Sequence, residues 1–386
     1  MLFLILPTEM KKIQMVDLKG QHKEIEHEIL KSLSDIFDST KFNNGPDVRE
    51  FEIKLEEYLG TKNAIACASG TDALQVALMS LELNYGDEII TTDFTFAATI
   101  EVILLLGLKP VLVDIDPKTF NINPDLIRKA ITKKTKAIIP VHLFGQISDM
   151  DEILEIAKEN NLYVVEDNAQ SMGSDYTFFN GQEKKAGTIG DIGATSFFPS
   201  KNLGAYGDGG AIFTDNNKIA ERIRAIVNHG MYKRYHHDLL GVNSRLDSLQ
   251  AAILKVKLKH LDSYNKRRQN AALAYDYTFK DYENIITPSN DSRKSSHVYH
   301  QYTIRVIDGN RDKLAKYLSN NNIPYGIFYP VPLHKQKAYK SDKYDEANFL
   351  VTNQIVNEVI SLPMHTELEQ KQIDYISNSI KLFFKK

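Results

Sequence analysis

Residues 196–211 read SFFPSKNLGAYGDGGA, one lysine, Lys201, behind an aromatic run and a proline, then glycines at 204, 207, 209 and 210. Glycines crowded in this way mark backbone in an unusual conformation or very close to something else. Three other stretches carry matching chemistry. Ser69-Gly70-Thr71-Asp72 opens a helical pattern, where a glycine turn, a hydroxyl and free helix-start amides make a phosphate site, although the same residues serve as an ordinary cap. Phe94-Thr95-Phe96 offers an aromatic wall to a planar ligand or, with equal weight, core packing. In VVEDNAQ (164–170), Asp167 follows two valines, a position that demands a cation or donor as partner; a helix cap or Mg²⁺ would also use it.

The elements that must position these residues are legible in the hydrophobic pattern. Seven apolar runs of strand length (63–69, 88–93, 110–116, 137–145, 163–169, 194–199 and 210–215) alternate with helix patterns such as TDALQVALMSLEL and DMDEILEIAKENN. This alternation predicts an α/β domain with a mostly parallel, seven-stranded mixed sheet covered by helices on both faces, its last strand a candidate for antiparallel pairing. Such sheets bind ligands at the carboxyl ends of their strands, where all four motifs fall. The spacing of Leu246, Leu249, Ile253 and Val256 predicts one long helix over 244–261. A polar, turn-rich region at 284–297 and a strand in HQYTIRV (300–306) follow, then a helix near 310–321 and two more helical stretches. The changed rhythm divides the chain into a large domain, 1–261, and a smaller α+β domain, 262–386.

A phosphate-binding helix start, an aromatic wall, a strand-end carboxylate and a loop lysine together describe one ligand, pyridoxal 5′-phosphate. The lysine would form a Schiff base with it and the carboxylate would pair with its pyridinium nitrogen. To exchange amines, Lys201 must titrate near neutrality, which a desolvated pocket can arrange. A nicotinamide-dehydrogenase reading fails on spacing, because G-x-G-x-x-G does not occur around Gly204 to Gly210.

With a net charge of −3, the chain has no broad basic footprint for nucleic acid. Cys67 is the only cysteine, which rules out intramolecular disulfides and thiolate clusters and makes the cytoplasm the natural compartment. No metal is expected, since the histidines of HGMYKRYHH (229–237) have poor ligand spacing and no completing carboxylate or cysteine. That loop's cations would meet a diphosphate or simply face water. The opening MLFLILP is too short to span a membrane and reads as an arm lying on the fold or on a partner subunit.

Nearly the whole chain, from about Asp17 onward, resembles the DegT/DnrJ/StrS family of sugar-nucleotide aminotransferases, which have the aspartate aminotransferase-like, fold type I architecture. The motifs that carry the resemblance are NGPDVREFE, CASGTDALQVAL, FTFAAT, VDIDP, IIPVHLFGQ, VEDNAQS, SFFPSKNLGAYGDGGA and GVNSRLDSLQAA. The resemblance implies that Lys201 carries the cofactor, Asp167 contacts its ring nitrogen, Gln170 its phenolic oxygen, and Phe96 stacks on its ring. It assigns the phosphate to Gly70, Thr71 and Ser196, and sends Asn243 to the cofactor phosphate of a neighbouring subunit, which implies a homodimer with shared active sites. It further implies amino transfer from L-glutamate, through the pyridoxamine form of the cofactor, to a keto group on a nucleotide-linked hexose for cell-surface polysaccharide.

NSRLD and YPVPLHKQ resemble members that act at carbon 3, with Tyr206, Arg245, Phe328 and His334 as expected substrate residues. Many relatives have histidine where this chain has Phe328. Phenylalanine can pack on a methyl group but cannot bond a carboxylate, which favours a dTDP-3-oxo-6-deoxyhexose over UDP-2-acetamido-3-oxo-glucuronate. Arg245 argues the other way, since it could pair with a uronate.

Overall fold

The computed structural model describes residues 10–289 and 294–385. The expected arm at residues 1–7 lies outside them, as do Asn290 and Asp291 of the polar turn region. Seven strands form the central sheet: β1 (Asn63–Cys67), β2 (Glu88–Thr92), β3 (Lys109–Val113), β4 (Thr135–Ile139), β5 (Tyr163–Asp167), β6 (Ile192–Ser196) and β7 (Gly210–Thr214). Their spatial order is β1-β7-β6-β5-β4-β2-β3. The pairs β2–β3, β2–β4, β4–β5 and β5–β6 are parallel, whereas β7 runs antiparallel to both β1 and β6.

Side chains alternate across this sheet, so adjacent residues enter different cores. Ile89, Ile139 and Val165 pack in one cluster with Leu74, Val76 and Ile223, while Ile90, Ile138 and Val164 pack in another with Ile153 and Ile156. Both faces are therefore buried, the reason the strands read as continuous apolar runs.

The sequence pattern misplaces one helix. In place of a single helix over 244–261 there is Ser248–Leu258 and then a separate helix, Leu261–Phe279. Residues 243–247 are held by other partners: Asn243 bridges Asn228, Asp247 bridges Asn43, and Ser244 N–H donates to the Val227 carbonyl. Leu246 is buried in a third cluster without being helical. The helix Leu261–Phe279 joins two cores, with Leu261 packed under the large sheet and Tyr275 and Phe279 in the smaller unit.

That smaller unit is an antiparallel sheet of Ile285–Ile286, Tyr302–Val306 and Val359–Leu362, covered by the helices Arg311–Asn320 and Gln370–Phe384. The sequence reading gave Val359–Leu362 no strand. Its four residues are all buried, too short a run for periodicity to tell strand from helix.

Below its carboxyl end, β6 presses on the loop after residue 186. A Cβ on Gly193 would lie 2.0 Å from the Gly187 carbonyl oxygen, contact with backbone that cannot swing away. Gly193→Ala should therefore cost about 1–3 kcal/mol or more as an overpacking substitution, read as a lowered urea midpoint; an unchanged midpoint would refute that packing.

Candidate active site

Lys201 and Asp167 face one another at the carboxyl ends of β5 and β6. Asp167, the last residue of β5, is buried and accepts hydrogen bonds from the Thr99 hydroxyl (2.8 Å) and the Ala169 amide (3.2 Å). Burial pushes its carboxyl above the usual range, opposed by those two donors and by the charge of Lys201. For Lys201, burial pulls the ammonium down to about 8, with the Asp167 charge working in the opposite direction. The net result is an amine that is partly neutral at physiological pH, as nucleophilic chemistry requires.

Glu166 points to the opposite face of β5 and fastens this strand end from below. Its carboxylate accepts from the amides of Gly187, Ile189 and Gly190 at 2.6–2.9 Å and pairs with His142 Nε2 at 2.8 Å, the Glu166 and His142 side chains both being fully buried. Ser148 N–H donates to His142 Nδ1, which leaves the ring proton on Nε2, facing Glu166. His142 N–H donates in turn to the Asp167 carbonyl at 3.1 Å. Neither residue stood out in the sequence as part of the site, although both lie inside the quoted motifs.

The helix Gly70–Met79 starts beside β6. Ser69 caps it, its hydroxyl accepting from Asp72 N–H at 3.1 Å, and Asp72 is held by the Ser244 hydroxyl at 2.6 Å. Gly70 and Ser196 meet here: a Cβ on Gly70 would lie 2.5 Å from Ser196 Cβ. A Cβ on Gly210 would lie 2.3 Å from the Ser69 carbonyl oxygen, and one on Gly204 would lie 2.3 Å from that of Pro199. None of the four loop glycines has positive φ. Close approach is the cause: backbone at Gly204 and Gly210, and the side chains of Gln250 at Gly207 and of Leu246 and Phe197 at Gly209, so that the lysine loop packs against the helix start.

Phe96 is 57% exposed, whereas Phe94 is fully buried core, so the core-packing reading holds for Phe94 and leaves only Phe96 with a ring face free for a ligand. The Gln170 side chain is fixed at both ends, with Oε1 accepting from Phe144 N–H (2.7 Å) and Nε2 donating to the Tyr329 hydroxyl (3.1 Å). Tyr329 also packs edge-on to Phe94 and 6.3 Å from the Phe96 ring. It is the site residue that the sequence left unassigned: it lies within YPVP, but only the fold brings it to Gln170.

The four expected substrate residues are dispersed. Phe328 is half-buried against the cluster of Phe120, Ile355 and Val359, and a Cβ on Gly326 would strike its ring. His334 is buried, bonded through Nδ1 to Asp93 at 2.6 Å and stacked on Phe349 at 4.4 Å, an arrangement that clamps the Tyr329 segment to the end of β2. Tyr206 is partly exposed and bonded to His22 at 2.8 Å. Arg245 borders a small cleft with Glu52 and Arg224 and has no ion-pair or hydrogen-bond partner among the described residues. Asn243, two residues earlier, is exposed.

The residues present fit pyridoxal 5′-phosphate. The crowded helix start beside Ser196 suits its phosphate, the buried Asp167 carboxylate suits a ring cation, and the exposed face of Phe96 suits a flat ring. The sequence profile of the DegT/DnrJ/EryC1/StrS aminotransferase family matches residues 23–381. The chain belongs to this family.

Among relatives, this aminotransferase is 44% identical over 364 residues to the UDP-2-acetamido-2-deoxy-3-oxo-D-glucuronate aminotransferase of Pseudomonas aeruginosa, covering 94% of this chain and 98% of that one. It is 39% identical over 372 residues to the dTDP-3-amino-3,6-dideoxy-alpha-D-galactopyranose transaminase of Aneurinibacillus thermoaerophilus, covering 96% and 99%. The solved structure of S. venezuelae DesV in complex with ketimine intermediate superposes with a TM-score of 0.93 at 34% identity, covering 98% and 100%. Among the described residues no helix is long and apolar enough to cross a membrane, and no group of three or more metal-ligating side chains converges.

If Lys201 is the residue that captures pyridoxal phosphate, only its neutral amine can do so. Below pH 8, capture by the cofactor-free protein should therefore accelerate about tenfold per pH unit and level off above it, followed by stopped-flow absorbance. A midpoint near the ordinary lysine value of 10.5 would contradict the burial.

Proposed function

We propose that this enzyme transfers the amino group of L-glutamate to carbon 3 of a nucleotide-linked 3-oxo hexose, using pyridoxal 5′-phosphate held on Lys201. The observation that carries this reading is the Lys201 amine, lowered to about 8 by burial, facing the Asp167 carboxylate. In this reading Gly70, Thr71 and Ser196 hold the cofactor phosphate, Phe96 covers its ring, Asp167 keeps its ring nitrogen protonated and Gln170 meets its phenolic oxygen. Bound in this way, the cofactor supplies an electron sink for the carbanion that develops when a proton leaves the donor's α-carbon. Lys201, once released, takes that proton and returns it in the second half-reaction; an amine with pKa near 8 can both accept and give at neutral pH.

A homodimer completes the site in this reading. Asn243, exposed, and Arg245, without a partner of its own among the described residues, are both available to a neighbouring subunit. The division of the chain at residues 261 and 262 and a cytoplasmic location belong to the same reading, as does a product destined for cell-surface polysaccharide.

For the sugar we favour a dTDP-linked 3-oxo-6-deoxyhexose, supported by Phe328, which has no polar atom to offer a charged sixth carbon. The unpartnered Arg245 guanidinium favours a second reading, the UDP-linked 3-oxo-glucuronate, as does the Pseudomonas aeruginosa relative. Incubating the enzyme with glutamate and each 3-oxo sugar nucleotide, then weighing the products by mass spectrometry, separates the two. Amination of the 6-deoxy sugar is the expected outcome, and Phe328→His should shift preference toward the uronate. Exclusive amination of the uronate would reverse the assignment. Asp167→Asn should lower kcat by on the order of 10²–10³-fold, the scale of losing one preorganised electrostatic partner; turnover within tenfold of the parent would sink the role given to Asp167.

A further inference from the structure

Along the outer edge of the sheet, β3 forms one wall of a groove of about 820 Å³, closed on the other side by residues 338–351 of the smaller unit. It lies three strands from β5 in the sheet order, about 14 Å at the usual inter-strand spacing. Its size is that of a small-molecule site. Four lysines line it, Lys109, Lys129, Lys340 and Lys343, and all four are exposed. Among the described residues none of their ammonium groups has a hydrogen-bond or ion-pair partner.

Asp114 is the one carboxylate in the lining, and it is spent: it accepts from Val351 N–H (2.7 Å), Thr352 N–H (2.9 Å) and the Thr352 hydroxyl (2.6 Å). On the loop outside the lining, Glu346 pairs with Lys335 and Asp345 caps Ala347 N–H, whereas Asp342 lies next to Lys343. The walls between the lysines are apolar, with Leu104 and Leu350 41% and 69% exposed and Tyr344 half-buried. An added peptide strand is disfavoured, because Pro110 has no N–H to offer and its carbonyl accepts from the Tyr344 hydroxyl (3.4 Å).

We propose that this groove is a second ligand site, separate from the catalytic crevice, which takes a nucleoside phosphate. Several unpartnered cations around an aromatic and aliphatic wall match a flat ring bearing multiple negative charges. Titration calorimetry on the cofactor-loaded enzyme tests it, with dTDP and UDP as probes. Wild type should bind two nucleotides per chain, one in each site. The double variant Lys129→Glu/Lys343→Glu should lose one of them while its transamination rate stays unchanged. Uncharged thymidine should bind the groove at least about tenfold more weakly, the worth of about 1.4 kcal/mol. If the crevice takes no free nucleotide, wild type binds one and the variant none, which still upholds the groove. Equal stoichiometry and affinity in wild type and variant would overturn it.

Discussion

The structure turns on one buried electrostatic pair, the Lys201 amine and the Asp167 carboxylate. Removing both groups from water penalises their charged forms, and that penalty brings lysine down toward neutrality. Burial raises the Asp167 carboxyl above its usual range, and two donors, Thr99 and Ala169, together with the charge of Lys201, work against that rise. Such a pair survives only if the surrounding backbone holds it rigidly. The β5 end is accordingly pinned from below by the fully buried Glu166, which gathers three amides and His142.

The loop that bears Lys201 is held by a different means. Two of its glycines, Gly204 and Gly210, permit contacts with Pro199 and Ser69 backbone that no Cβ would tolerate, and Gly209 packs tightly against the Leu246 and Phe197 side chains. Lysine loop, Ser196 and helix start thereby become one packed unit, so the amine and the helix-start amides keep a fixed spacing. Overpacking at such points costs more than surface change elsewhere because backbone cannot repack as side chains do.

The smaller unit contributes through a single segment. His334 reaches back to Asp93, the residue just past β2, and is sandwiched on Phe349. That buried contact brings Tyr329 to Gln170 and places its ring near Phe96. His334, one of the four residues expected to touch the sugar, is thus held in a clamp between the two units, and Tyr329, the neighbour of Phe328, packs beside Phe96.

The sequence by itself determined the sheet, because buried parallel strands need continuous apolar runs and these stood out at all seven positions. It also singled out Lys201, Asp167 and the Ser69–Gly70 turn as candidates, since strand-end chemistry is written locally. It could not place the helix break before Ser248, where the pairings of Asn243 and Asp247 with distant residues override an amphipathic pattern. Nor could it tell core Phe94 from exposed Phe96, find the strand Val359–Leu362, or assign Tyr329 and His334 their partners. Those outcomes depend on contacts between segments as many as 241 residues apart. Only tertiary structure decides such contacts, because a side chain's burial and hydrogen-bond partners are properties of the packed chain and not of its neighbours in sequence.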